Sequence, residues 1–191
     1  MIKRTVRGIG YNTKSKHKSN VNGKPTRVYM IWQGMFNRCY NDYQLDRRPN
    51  YEGCTVAEAW HNFQDFGDWY DNQPHNGDDF QLDKDILFKG NKVYSPETCC
   101  LVPRQINMLF TVKKRGAYPQ GVTFNKPMGQ YTASLSKVGG SKHLGYFDCP
   151  NEAHLAYKNA KEARVKHMAD LWFGNIEPKV YEALMDWTLE D

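Results

Sequence analysis

A chain of 191 residues is long enough for one large domain or two small ones, and 40% hydrophobic with 25% charged residues is typical of a globular protein with a buried core. No apolar run approaches the length of a membrane-spanning helix, and the basic start lacks the apolar centre of a secretory signal. These features argue against membrane and secreted classes, so we expect a cytoplasmic protein.

The charges are segregated along the chain, which is more informative than the net charge of +5. Residues 1–41 hold nine basic and no acidic residues, and residues 42–100 hold five basic and twelve acidic residues. Residues 101–170 hold eleven basic and four acidic residues, and the last 21 residues hold one and five. Basic ends around an acidic middle indicate two phosphate-contacting surfaces, with an accidental segregation of solvated charges as the alternative.

The first segment, residues 1–27, is basic and rich in Gly, Ser, Asn and Lys. It predicts a flexible arm that orders on a polyanion, or a tail that only keeps the protein in solution. A helix is then predicted to begin at Pro25 and Thr26, because apolar residues recur at spacings of three and four. Those residues are Val28, Ile31, Trp32, Met35, Phe36 and Cys39. Residues 41–51 are predicted to form a loop.

A second helix is predicted to begin near Thr55, because Thr55 and Glu58 have the spacing of a capping box. Its apolar and aromatic residues are predicted to face the core, and they are Val56, Trp60, Phe63, Phe66 and Trp69. A strand over residues 80–87, a turn at 89–92, a strand over 98–102 and a short helix from Pro103 follow. This order predicts a small ββα unit.

Residues 121–172 contain three short alternating runs, two turns with Gly and one Ala-rich helix. In the second run, Tyr131, Ala133 and Leu135 point one way and alternate with Thr132, Ser134 and Ser136. The pattern predicts a three-stranded antiparallel sheet with a helix on one face and a small, polar, basic free face. Residues 113–116 are predicted to link this unit to the first, and residues 178–189 to form a last helix.

Five cysteines in a chain without a secretory signal argue against a disulfide scaffold. Four of them come from separated segments of the first two-thirds of the chain and could stabilise a small module by binding structural zinc. These candidate ligands are Cys39, Cys54, Cys99 and Cys100. Buried free thiols are the alternative.

The C-terminal run resembles the Apetala-two (ethylene-response-factor) DNA-binding domain. Its Gly-Val start, its aromatic-x-Ala strand, its Leu-Gly-x-Phe strand and its Glu-Ala-x-x-Ala-Tyr helix occur in the same order here. They correspond to Gly121-Val122, Tyr131 to Ala133, Leu144 to Phe147, and Glu152 to Tyr157. The resemblance covers about fifty residues and implies a duplex-DNA-binding sheet.

The first half resembles a phage and prophage group described as His-Asn-His (HNH) homing-endonuclease-like. The resemblance is carried by WQGMFNRCYND, YEGCTVAEAWHNFQDFGDWY and LDKDILFKGNKVYSPETCCLVPRQIN, within roughly residues 28–110. Proteins of that group often carry an Apetala-two-type module after the nuclease core, as the second half here suggests. The resemblance implies a ββα-metal core that binds Mg²⁺ and cleaves DNA.

The implied catalytic positions are Asp83, Lys84, Asp85 and Asn107. Active relatives place a His general base where this chain has Lys84, and an Asn where it has Thr98. A lysine ammonium has no lone pair with which to accept a proton from water, so we expect cleavage to be weak or absent. Asp83 and Asp85 could hold Mg²⁺ through carboxylate oxygens, or they could instead cap the strand and pair with neighbouring lysines.

The sequence therefore predicts an α+β protein with a basic arm (1–27), a degenerate HNH-like ββα core with N-terminal helices (28–112), an Apetala-two-type domain (113–175) and a C-terminal helix (176–191). We expect it to bind double-stranded DNA in the cytoplasm of a bacterial host. Active nicking with Mg²⁺ and inhibition of a host protein are the alternatives.

The expected base contacts are Gln130, Thr132, Ser134, Ser136 and His143. The expected phosphate contacts are Lys113, Lys114, Arg115, Lys126, Lys137 and Lys142.

Overall fold

The computed structural model of the chain describes residues 5–111, 116–137 and 140–190. They divide into two compact units. The first comprises the chain up to Asn107 together with Gly174–Val180, and the second comprises Met108–Phe173 together with the chain from Tyr181 onward. The architecture is mixed α+β with small sheets, as predicted. None of the described helices combines the length and the apolar character that crossing a bilayer requires.

The first unit contains helices and very short strands. Its helices are α1 (Arg27–Tyr40), α2 (Asp42–Arg47), α3 (Phe63–Asp71) and α4 (Arg104–Asn107). Its strands are β1 (Asn20–Val21), β2 (Lys24–Pro25), β3 (Thr55–Val56), β4 (Phe80–Asp83), β5 (Val93–Tyr94) and β6 (Cys100–Pro103). Strands β1 and β2 pair antiparallel, as do β4 and β6, whereas β3 and β5 pair parallel.

Helix α1 forms where the apolar spacing predicted it. Thr26 caps its start by accepting a hydrogen bond from the Tyr29 amide at 3.4 Å. The predicted apolar face is confirmed, with Trp32, Met35, Phe36 and Cys39 buried. Trp32 is fully buried, and its indole nitrogen donates to the Trp60 carbonyl at 2.7 Å, so its one polar atom is satisfied inside the core.

The predicted capping box at Thr55 is wrong. Thr55 lies in β3, where its amide donates to the Lys92 carbonyl at 2.8 Å, so the residue is committed to a strand pair. The second long helix begins instead at Phe63, because Asn62 accepts a hydrogen bond from the Gln64 amide at 3.3 Å. The segment predicted as a loop over residues 41–51 contains α2 and one turn of 3-10 helix.

The basic N-terminal segment follows a defined path along α3, unlike the flexible arm expected from its composition. The Tyr11 amide donates to the His61 carbonyl at 2.8 Å, and the Phe63 amide donates to the Tyr11 carbonyl at 2.9 Å. Farther along, the His17 amide donates to Oε1 of Gln64 at 2.7 Å. Polar side chains and backbone of the α3 region thus satisfy the backbone groups of a segment poor in apolar residues.

The second unit is built on one antiparallel sheet. Its elements are β7 (Val122–Asn125), β8 (Gln130–Lys137), β9 (Gly140–Phe147) and α5 (Pro150–Leu171). The strand order is β7-β8-β9, and α5 packs against all three strands. A last helix, α6 (Pro178–Met185), ends earlier than the predicted residue 189, and the division between the units falls within it after Val180.

The covered face of the sheet forms a small core with α5. Val122, Ala133 and Ala153 are its buried centre, and Tyr131 and Phe147 pack beside them. Gly121 lets the chain enter β7 against α5, because a side chain at this position would overlap the Tyr157 ring. The sheet is therefore held close to the helix on one face only, and its other face is left to solvent.

Candidate nucleic-acid interface and a polar cleft

The uncovered side of the sheet, the outer face, carries the polar half of the predicted alternation. Ala133 and Leu135 are buried toward α5, as predicted. Ser134 and Ser136 alternate with them and are half-buried and exposed, respectively. The cross-strand partners of these serines are His143 and Ser141, so four neighbouring positions of β8 and β9 place polar groups on one surface.

A β-bulge determines which residues of β9 join the outer face. The register shifts between Ala133 and Ser134, so that Gly145 lies opposite Ala133 and His143 lies opposite Ser134. The extra residue changes the alternation of β9 and places Tyr146 opposite Thr132. The His143 and Tyr146 rings then lie 4.7 Å apart between centroids, and Tyr146 is 45% exposed. Sequence reasoning predicted His143 and missed Tyr146.

The predicted base-contacting residues do not all present their polar atoms. Gln130 is on the outer face, and its amide nitrogen donates to Oδ1 of Asp148 at 2.9 Å. The predicted base contact by Thr132 is corrected, because the hydroxyl oxygen of this residue is buried and has no hydrogen-bond partner among the described residues. It therefore cannot reach a base edge. Ser134, Ser136 and His143 remain as polar residues of this surface.

The predicted phosphate contacts are more scattered. Lys126 lies in the exposed turn between β7 and β8. Lys142 is exposed but pairs with Leu135, so it extends from the α5 side of the edge strand, opposite to the outer face. Lys113, Lys114 and Arg115 lie outside the described residues, as does the side chain of Lys137.

The first unit contains an open cavity of about 550 Å³, the α1–β4 cleft, lined by one face of α1, by all of β4 and by the segments that follow it. The four predicted catalytic residues all line it, and they are Asp83, Lys84, Asp85 and Asn107. Three arginines and two further aspartates that sequence reasoning missed are also present, and they are Arg27, Arg38, Arg104, Asp78 and Asp79.

The predicted catalytic residues are engaged with one another and with backbone. Asp83 Oδ1 accepts from the Asp85 and Ile86 amides at 2.7 and 2.8 Å, and burial raises the pKa of this carboxyl group. Lys84 Nζ donates to Asp85 Oδ1 at 2.6 Å and to the Asn91 carbonyl at 2.5 Å, and only 6% of the side chain is exposed.

Two further residues from the implied nuclease set have structural partners. The Asn107 amide nitrogen donates to Oε1 of Gln81 at 2.7 Å. The Thr98 hydroxyl donates to the Val93 carbonyl at 2.8 Å. Lys84, ion-paired as an ammonium, has no lone pair to accept a proton. The cleft therefore holds no general base at the implied position.

Within residues 5–111, 116–137 and 140–190, no three His, Cys, Asp or Glu side chains are grouped so as to hold a metal ion. The four predicted zinc ligands, Cys39, Cys54, Cys99 and Cys100, are all buried. Burial raises the pKa of Cys39 and Cys99 to about 12 and also raises that of Cys100. Zinc at these cysteines stays a prediction that elemental analysis checks.

Comparison of the chain with protein-family models, with curated proteins and with solved structures gave no match. The outer face and the α1–β4 cleft are therefore the features of the protein that bear on its function.

Proposed function

We propose that this protein binds double-stranded DNA through the outer face of the β7–β9 sheet. The observation that supports the proposal is the contrast between the two sheet faces. One face is buried under α5, whereas the other combines serine hydroxyls with the exposed His143–Tyr146 pair. The resemblance to the Apetala-two domain points the same way.

The chemistry of the outer face suits base edges in the major groove. A narrow β-sheet fits that groove, and the groove presents donors and acceptors that hydroxyl and imidazole groups can pair with. The Tyr146 ring adds an apolar surface that can contact a thymine methyl group or the sugar edge. Exposed Lys126, in the turn between β7 and β8, would contact phosphates, which makes the affinity dependent on salt.

Tyr146→Ala and His143→Ala should each weaken binding of the full-length protein to a mixed-sequence duplex by about tenfold, the cost of losing one good base contact. Fluorescence anisotropy at low and at moderate salt measures it. Leu155→Ala is the matched control, because Leu155 is 56% exposed on α5, which covers the other face of the sheet. We expect the control to bind like the unchanged protein, with equal melting temperatures for all variants.

Two results would reject duplex binding at this face. One is an absence of binding at low salt, where phosphate contacts are strongest. The other is an equal loss of affinity for Tyr146→Ala and Leu155→Ala, which would show that the contact surface lies elsewhere or that the variants act through stability.

Phosphodiester cleavage in the α1–β4 cleft is the second candidate function, because the cleft gathers Asp83, Lys84, Asp85 and Asn107. Lys84 is buried in an ion pair, so we expect little or no nicking of supercoiled plasmid with Mg²⁺ or Mn²⁺.

If nicking occurs, Asp83→Ala should abolish it without changing duplex affinity. Lys84→His should increase nicking if this cleft is the active site. Robust nicking that neither change affects would place the active site elsewhere, and neither nicking nor DNA binding would favour a protein partner.

A further inference from the structure

A carboxylate lies beside the outer face where β8 begins and β9 ends. Gln130 is the first residue of β8, and the residue after it, Tyr131, pairs with Phe147 at the end of β9. Asp148 follows Phe147 directly, and its Oδ1 accepts a hydrogen bond from Nε2 of Gln130 at 2.9 Å. This contact gives Asp148, which sequence reasoning missed, a direct hold on one of the predicted base-contacting residues.

The backbones of both partners are fixed by the elements around them. Tyr131 and Phe147, their neighbours in the chain, pack against the core between the sheet and α5. Helix α5 begins at Pro150, two residues after Asp148. A side chain that is supported by a second residue on rigid elements presents its polar atoms in a defined direction.

The carboxylate of Asp148 determines which end of the Gln130 amide it faces. An ionised carboxylate can only accept hydrogen bonds, so it must meet the amide nitrogen and not the amide oxygen. Both amide atoms are bonded to the same carbon, so the oxygen is turned away from Asp148. Among the described residues, this oxygen accepts no hydrogen bond, and it is not one of the buried polar atoms that lack a partner. Gln130 therefore offers an acceptor that solvent can reach.

A fixed acceptor distinguishes two classes of base in the major groove. Adenine and cytosine present an amino group there, which can donate to the Gln130 oxygen. Guanine and thymine present carbonyl oxygens, which cannot. A glutamine that is free to turn its amide over could match either class, so the discrimination depends on the contact with Asp148.

The same carboxylate should lower the affinity for duplexes of every sequence. Asp148 is exposed, and its negative charge beside the outer face would repel phosphates. A group that weakens binding in general while it restricts what a neighbouring side chain can pair with increases specificity at the expense of affinity.

We propose that Asp148 is a positioning residue that sets the base preference of the outer face by making Gln130 present an acceptor. The site then selects adenine or cytosine over guanine or thymine at one position of a bound strand. This inference rests on the proposed duplex binding by the outer face, and it adds the class of base that is read and the residue that decides it.

The test starts from a pool of duplexes with a randomised centre, from which the full-length protein selects its preferred sequences. Fluorescence anisotropy then compares the selected duplex with one in which the preferred base pair is reversed. We expect the affinities to differ by about three- to tenfold, the contribution of one hydrogen bond. Asp148→Asn should bring this ratio close to one, because an asparagine side chain can both donate and accept and so lets the Gln130 amide turn over.

The affinity of Asp148→Asn for the unselected pool separates positioning from a structural role. We expect this affinity to rise, because a charge that repels phosphates is removed. Damage to the sheet would lower it instead. Asp148→Glu keeps the carboxylate and should retain part of the base preference.

Glu152→Gln is the matched control, because it removes another exposed carboxylate of the same unit, in the first turn of α5. It should leave the ratio of affinities unchanged. Gln130→Ala is the second variant in case Asp148→Asn lowers the melting temperature, and it should abolish the preference at the same position.

Three results would overturn the role of Asp148. They are an unchanged ratio in Asp148→Asn, an equal loss of the ratio in Glu152→Gln, and a preference for guanine or thymine at the position where Gln130→Ala removes it. In each case, duplex binding that Tyr146→Ala weakens would leave the proposed function standing. Absence of duplex binding, or binding that Tyr146→Ala does not weaken, would reject the proposed function and the role of Asp148 together.

Discussion

Gly121→Ala is expected to destabilise the second unit by about 2–5 kcal/mol. Gly121 has φ +83°, where a residue with a Cβ is strained by about 1–2 kcal/mol. Its Cβ would also lie 2.1 to 2.6 Å from three atoms of the Tyr157 ring, and relieving such an overlap in a packed core costs about 1–3 kcal/mol more. Urea unfolding followed by circular dichroism measures the change in the free energy of unfolding.

Gly129→Ala is the matched control for this change. Gly129 has φ +67°, but nothing lies within 4 Å of the Cβ that would be added. Gly129→Ala should therefore lower the free energy of unfolding only by the cost of backbone strain, about 1–2 kcal/mol. Equal losses for the two variants would contradict the close approach of Gly121 to α5. In a Tyr157→Ala background, the cost of Gly121→Ala should fall toward that of Gly129→Ala, because the overlapping ring is gone.

Gly67→Ala is expected to destabilise the first unit by about 1–3 kcal/mol, although alanine is the better helix former. The new Cβ would lie 2.4 Å from Cγ and Cδ2 of the His17 ring, which packs on α3 with 11% of its side chain exposed. The ring also faces Phe63 at 6.3 Å and contacts Asp68 through Nε2 at 2.9 Å. Displacing it should release the N-terminal segment, which limited proteolysis would detect as faster cleavage before residue 20.

The effect of Gly67→Ala on the free energy of unfolding should change from a loss to a gain when the His17 side chain is absent. Measured against His17→Ala alone, the double variant His17→Ala with Gly67→Ala should be more stable by about 0.5–1 kcal/mol, the ordinary gain from replacing glycine in a helix. A loss in both backgrounds would mean that His17 does not pack against Gly67.

Part of the outer face was predictable from the sequence. The alternation of Ala133 and Leu135 with Ser134 and Ser136 depends only on the two-residue period of a strand. The position of Tyr146 was not predictable, because the bulge opposite Ala133 and Ser134 changes the alternation of β9. Pairing between strands, and not the sequence of either strand, decides where a bulge lies.

The α1–β4 cleft likewise combines residues that the sequence allowed us to predict with residues that only the tertiary structure brings together. Asp83, Lys84 and Asp85 are adjacent in sequence, and the structure places Asn107 with them in one cavity. Arg27 and Arg38 belong to a helix far away in the chain, and their spacing of three turns was visible in the sequence without any indication of what the helix faces. Only the packing of α1 beside β4 makes them members of the same site.

The sequence by itself determined the elements whose signal is local, which are the apolar face of α1 and the alternating strand β8. Tertiary structure decided where polar residues find partners. Thr55 has a valid capping pattern, yet its amide pairs with Lys92 in a strand ladder, and Asn62 caps α3 instead. Residues 11–17 look unstructured by composition, yet the α3 region satisfies their backbone groups. Hydrogen bonds between distant segments satisfy buried donors and acceptors, and no local pattern specifies those partners.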